Sequence, residues 1–315
     1  MVTTKITRQE SCDIEYRKWP YLRHATDEQL RVRLFEIINN QRTLTEENKI
    51  GLLSPDKIGE FWMSRFSHVL EECGWRGRGI QPISDFASEL KGVCDPIPDV
   101  EIRLREYTKA RSVVKLSMRE FNEDAFLKGR IQISLASAYD DAAKLRSVRD
   151  RELARTIFRP APGSVLIRRK NVRIYQIPAV EKTVESPTDY YLYCVAMRYS
   201  RRLFHDFRSN SLLLVHDVDD FMNRIIEAVA AKFPDCAMRG ENVRYFDPFD
   251  CGDIPDVYFM KPFSYAYQQE FRLVWIPNSP VRRLAPFFIE IGSLENCAEL
   301  IVLDTVADFK SETEE

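Results

Sequence analysis

The segment Tyr265–Trp275, YAYQQEFRLVW, sets Gln268, Gln269 and Glu270 inside an otherwise apolar, aromatic run. Tyr267, Phe271, Leu273 and Trp275 fall on one parity, and Gln268, Glu270 and Arg272 on the other. Aromatic residues alternating with polar ones at period two predict a half-buried β-strand. Successive side chains of a strand point to opposite faces, so Gln268 and Glu270 are expected side by side on one face. Such a pair is either a solvated strand edge with an ordinary ion pair or the acidic strand of an active site.

Outward from this strand, residues 101–315 read as many short strands with few helices. RSVVKLS, RIQISLAS, YYLYCVAMRYS, FFIEIG and ELIVLDT predict strands, as do the stretches on either side of Lys170-Asn171. MREFNEDAFLKG predicts a short helix ending at Gly129, and AYDDAAKLRSVRDRELARTIF a charged one. SLLLVHDVDDFMNRIIEAVAAKF runs from a buried strand into an amphipathic helix. The first hundred residues instead show helical spacing. Thr26 is a plausible N-cap, followed by a stripe of Leu30, Leu34, Ile37 and Ile38. In SPDKIGEFWMSRFSHVLEECG, Ser54 caps, Pro55 takes the first helical position and Gly74 the exit, with Ile58, Trp62, Phe66 and Leu70 as the buried face. VCDPIPDV at 93–100 reads as a boundary. The expected fold is α+β: a helical N-terminal region over 1–100, then a mixed-sheet domain over 101–315.

Net charge is only −2 over 315 residues, so overall charge selects no partner. Locally, residues 101–173 carry 18 Lys+Arg against 9 Asp+Glu, while residues 174–315 carry 14 against 23. The basic stretch is either a phosphate-contacting surface or a solvated face. Seven scattered cysteines without a C-x-x-C pair predict reduced thiols and a cytoplasmic location. No metal site is expected from the four histidines, and no apolar run is long enough to span a membrane. Rossmann, P-loop and G-x-S-x-G signatures are absent.

What remains as candidate chemistry is a set of polar residues in strand contexts: Lys115 and Ser117 in VVKLS, Ser134 and Ser137 in QISLAS, then Gln268 and Glu270. In this order (a basic residue, a serine strand, a late Gln-x-Glu) the chain resembles the ADP-ribosyltransferase superfamily. Lys115, Ser117, Asn122 and Gly129 also fall as in DarT-like nucleic-acid transferases, with Lys115 standing where those have His or Arg. GRIQIS, the following Tyr-Asp, RDREL and YQQEFRLVW resemble in addition a group of bacterial proteins without an assigned activity. The superfamily resemblance implies a split NAD cleft in residues 101–315, with Glu270 catalytic and Gln268 positioning the acceptor. Lys115, Ser117, Asn122 and Arg149 would hold NAD, Ser134 would brace the site, and Tyr139 would offer a ring to the ligand or to an unpaired RNA base. Arg149 and its RDREL neighbours are alternatively a helix-surface ion-pair lattice.

The resemblance further implies a bacterial toxin or phage-defence effector that modifies RNA or DNA, with an antitoxin or chaperone as a further partner. Two other outcomes stay open at this level. One is NAD hydrolysis without transfer; the other is a non-enzymatic module that docks nucleic acid or protein through the late strand and the basic segment.

Overall fold

The computed structural model describes residues 7–44, 50–52, 57–77, 104, 111–141, 149–160, 179–252, 256–279, 281 and 283–302. The fold is α+β. Helices α1 (Arg8–Lys18), α2 (Asp27–Gln41) and α3 (Lys57–Trp75) pack together, with a small hairpin of β1 (Arg42–Leu44) and β2 (Ile50–Leu52) after α2. Thr26 does cap α2, in a reciprocal capping box with Gln29. The buried line of α3 differs from the sequence expectation. Trp62, Val69 and Cys73 are buried, but Leu70 is 46% exposed. Spacings that alternate between four and three residues keep the stripe facing α1 and α2, whereas the strict four-residue step to Leu70 drifts off it. The Ser54–Pro55 start and the 93–100 boundary lie outside the described residues.

The remaining chain builds an eight-stranded sheet around β7 (Tyr191–Ala196). On one edge of β7 lies β12 (Glu270–Pro277), then β9 (Cys236–Asn242). Two strands share the other edge. β4 (Arg130–Leu135) pairs with Tyr191 and Leu192, and β3 (Val113–Ser117) pairs only at Val114–Ala196. β3 continues to β8 (Ser211–Val215) and β14 (Ala298–Val302), and β4 to β13 (Phe287–Glu290). The sheet therefore forks at β7. All its pairings are antiparallel; the parallel pair among the described residues is the short one of β10 (Arg244–Phe246) with β11 (Met260–Pro262). A mixed sheet was expected, but the large one is antiparallel.

β3 leads into α4 (Arg119–Lys128), which ends at Gly129 with φ +68°. A Cβ there would also meet the Gly292 backbone at 2.0 Å, so only glycine fits. After β8, α6 (Val218–Lys232) buries Phe221, Met222, Ile225 and Val229 against one face of the sheet, with Tyr193, Leu273 and Trp275 beneath; the short α5 (Arg201–Asp206) lies between β7 and β8. The 142–148 part of the expected charged helix is outside the described residues, and its end is not helical. Residues 154–160 form β5, paired with β6 (Ala179–Glu185). Thr156, Ile157 and Phe158 favour the extended chain, and tertiary pairing decides in their favour. The Lys170-Asn171 turn lies outside the described residues. No described helix is long and apolar enough to cross a membrane, and the six described cysteines are free thiols.

The helices are tied to the loop after β10 by a buried ion pair. Arg33 Nη1 donates to Asp247 Oδ1 at 2.6 Å, its Nη2 donates to Oδ2, and both side chains are nearly inaccessible. Asp247→Ala would leave Arg33 buried without its counter-charge. A loss of about 3–5 kcal/mol is expected in urea unfolding; a loss below about 1 kcal/mol would mean the helices dock through their apolar contacts alone.

Candidate functional site

The apolar parity of YAYQQEFRLVW behaves as expected from Glu270 onward. Phe271, Leu273 and Trp275 enter the core under α6, while Glu270, Arg272 and Val274 face the opposite side. Gln268 is reached differently. It ends a 3-10 turn over Phe263–Gln268, and Gln269 then adopts left-handed backbone with φ +46° before the strand starts. Gln268 and Glu270 are thus neighbours across a turn and not two positions of one strand. The Met197 amide donates to the Gln269 carbonyl at 2.8 Å and holds this turn against the end of β7.

A cavity of about 270 Å³ opens where β3 and β4 separate along β7. Lys115, Ser117, Tyr139, Gln268 and Glu270 all line it. The Cys194 carbonyl lies between the two short pairings of the forked edge, and Lys115 Nζ donates to it at 2.8 Å. The same ammonium stands 4.6 Å over the Tyr193 ring, and among the described residues it has no carboxylate within ion-pair distance. Burial lowers the Lys115 pKa, with Cys194 and Glu270 opposing the shift. Met118 and Phe121 at the start of α4 line the mouth and are 39% and 57% exposed.

The other expected site residues lie elsewhere. Asn122 is buried and donates to Ser211 Oγ at 2.9 Å and the Lys115 carbonyl at 3.3 Å, so it fastens α4 to β3 and β8. Ser134 is half-buried on β4, bonds the Tyr139 phenol and does not line the cavity; Ser137 has left the strand for a 3-10 turn and bonds Asp189. The strand that supplies the wall beside β3 is β7, through Cys194, Val195 and Ala196. Tyr139 sits in the cavity wall, where burial raises its phenol pKa, instead of offering a solvent-facing ring. Arg149 is exposed, and only its carbonyl is engaged, by Tyr265 Oη at 2.7 Å. It turns outward because the chain at 149–153 is a turn in which the alternate residues Asp150 and Glu152 point inward. The helix-surface lattice reading of RDREL fails for the same reason.

Those two acids belong to the feature that local sequence reading missed. Asp150, Glu152 and Glu270 interleave with Arg155, Lys261 and Arg272 in one buried network. Arg272 grips Glu152 through two bonds of 2.7 and 2.5 Å and reaches Glu270 Oε2 at 3.1 Å. Lys261 Nζ donates to Glu270 Oε1 at 3.1 Å and Gln268 Oε1 at 3.2 Å, with Asp150 and Glu152 at 3.6 and 3.7 Å. Arg155 bonds Glu152 at 2.6 Å. Burial would raise the Glu270 pKa, but Lys261 and Arg272 outweigh it and hold the carboxyl below its ordinary range. Lys261 could have been found by the rule that singled out Glu270, since it too is a charge inside an aromatic run, VYFMKPFSY. No group of described residues is arranged to hold a metal ion.

No protein-family model, no curated protein and no solved structure matches the chain.

Asp150 is the strained member of the network. Burial and then Glu152 push its carboxyl up to about 6, and its Oδ2 makes no hydrogen bond, although Arg155 lies 3.5 Å away and Lys261 3.6 Å. The folded chain thus binds this proton more tightly than the unfolded chain. Ionised Asp150 opposes folding above about pH 6, and the cost fades as the pH falls toward the ordinary carboxylate range. Asp150→Asn should therefore stabilise the protein at pH 8 by up to about 3 kcal/mol, with the gain shrinking between about pH 6 and 4. Thermal melts across that range test it; destabilisation at every pH would show that the two cations hold Asp150 in place.

Proposed function

We propose that this chain is an NAD-consuming ADP-ribosyltransferase whose cavity takes the nicotinamide-ribose end of NAD. The observation that carries this reading is convergence. Gln268, from the turn before β12, and Glu270, the first residue of β12, face the same cavity as Lys115 and Ser117, from β3, at a fork in the sheet. The family resemblance calls for these groups around a split cleft; Tyr139 of its other implied residues also lines the cavity, while Asn122, Ser134 and Arg149 do not.

The chemistry follows from the groups present. As the bond between ribose C1′ and the nicotinamide nitrogen breaks, its electron pair leaves with nicotinamide, and positive charge grows on the ribose. A carboxylate already ionised and fixed in place stabilises that charge without reorganising. Burial and two cations hold Glu270 in that condition. The acceptor's nucleophilic atom then bonds C1′ and gives up its proton to water. At about 270 Å³ the cavity lies just below the size of common ligand pockets. It suits the reacting ring and sugar, with the adenine half across the mouth at Met118 and Phe121.

We take nucleic acid as the acceptor, on the basic balance of residues 101–173. The described cations there are largely neutralised: Arg111 pairs with Asp219, Arg119 with Glu123, and Lys128 and Arg130 with Asp124. Arg168, Arg169, Lys170 and Arg173 of the same stretch lie outside the described residues.

The test is nicotinamide release from NAD, with and without single-stranded RNA or DNA, read beside transfer of label to the nucleic acid. Where the Glu270→Gln protein is folded by its melting curve, it should lose roughly 100- to 1,000-fold in turnover. Full turnover in a folded Glu270→Gln protein, or no nicotinamide from the unmodified one, would leave the network as a structural brace in a binding module. Release without label transfer would identify a hydrolase.

A further inference from the structure

Gln268 and Glu270 sit on either side of one left-handed residue, so no regular secondary structure fixes one side chain relative to the other. Both nevertheless line the same cavity. The contact they share is Lys261, on the three-residue strand β11. It is 4% exposed and arrives from a strand that pairs with β10, not with β12. Its other neighbours lock it from behind: Asp150 and Glu152 within 3.7 Å, and the Tyr265 ring 4.6 Å from Nζ.

We propose that Lys261 is the positioning residue of this site: one ammonium, donating to Gln268 Oε1 and Glu270 Oε1 together, sets the Gln-x-Glu pair in a single arrangement facing the cavity. The inference rests on the reading of Glu270 as the carboxylate that meets the ribose.

The charged and titratable groups that face Glu270 are Lys261 from β11, Arg272 from its own strand, Glu152 from the 149–153 turn, Lys115 from β3, Cys194 from β7, Tyr245 from β10 and Tyr139. Of the cations, Lys261 acts most strongly on the Glu270 carboxyl and Arg272 next. Removing Lys261 leaves Glu270 beside Glu152 with Arg272 shared between them. The carboxyl then holds its proton to higher pH and keeps only its Arg272 bond, without the donor it shared with Gln268.

Lys261→Met is expected to lower kcat for nicotinamide release roughly 100-fold, with KM for NAD little changed. The acid limb of its pH–rate profile should move up by about one unit or more. A purely structural lysine would lower the melting temperature and leave the profile where it was. Lys261→Met alone leaves the buried cluster with three acids and two cations, so folding is secured by a second variant. Lys261→Met with Asp150→Asn restores balance, with Glu152 and Glu270 against Arg155 and Arg272. The proposal expects this double variant to fold with turnover still depressed, because charge is rebalanced and the donor shared by the pair is still missing. Recovery of turnover in the double variant would overturn it, since charge balance alone would then be the lysine's role. Should the unmodified protein release no nicotinamide, the transferase reading fails by itself. The positioning is then decided by crystal structures of the unmodified and double-variant proteins: Gln268 and Glu270 moved apart support it, and unchanged side chains overturn it.

Discussion

Six ionised side chains buried in one cluster form the constraint on which this architecture turns. Taking a charge out of water costs several kcal/mol, and only close, geometrically satisfied partners offset it. Asp150, Glu152, Glu270, Arg155, Lys261 and Arg272 come from the 149–153 turn, β5, β11 and β12. Apart from Asp150, none can move without leaving a buried charge short of its partner. The cluster therefore couples segments that share little regular pairing, and Arg155 extends the coupling by donating to the Met260 carbonyl next to Lys261. Glu152 is the hub: Arg272 and Arg155 both bond it, and their charges hold its carboxyl well below the ordinary range despite complete burial.

The fork in the sheet supplies space where this cluster supplies charge. Because β3 and β4 divide one edge of β7 between them, the backbone of Cys194 has no strand opposite it there, and Lys115 fills the role of donor. Asn122 and Ser211 keep β3 in place: the Asn122 amide donates to Ser211 Oγ, which donates in turn to the Ser117 carbonyl at 3.0 Å. The residues expected to contact ligand thus divide by physical role. Those whose bonds are complete within the scaffold, such as Asn122, position others; those with surface left on the cavity are available to a ligand.

The helical region bears on the same site. Asn40, at the end of α2, donates to the Phe263 carbonyl at 2.9 Å and accepts from the Tyr267 amide at 3.1 Å, bracketing the 3-10 turn that delivers Gln268. Arg202 stacks 3.7 Å over the Tyr267 ring and bonds Asn39 Oδ1 at 3.0 Å. Phe263 completes the apolar core of α1–α3. The turn before β12 is therefore held from behind by the N-terminal helices and from the front by Lys261, which is how a left-handed non-glycine residue at Gln269 is sustained at a cost of roughly 1–2 kcal/mol.

The sequence by itself determined the elements: the cap at Thr26, the strand VVKLS with its following helix and Gly129, the buried strand SLLLV with α6, and the parity of Phe271, Leu273 and Trp275. These depend on a residue and its near neighbours, through backbone preference and the period of apolar side chains. It also marked Lys115, Ser117, Gln268 and Glu270 as polar groups in apolar surroundings. Only the tertiary structure decided that these four meet at a fork, that Ser134, Asn122 and Arg149 stand apart from the cavity, and that Asp150, Glu152 and Lys261 turn inward. Which strand lies beside which is set by pairing between distant segments, and a buried charge is satisfied by whatever counter-charge that pairing brings near. No local period encodes either choice.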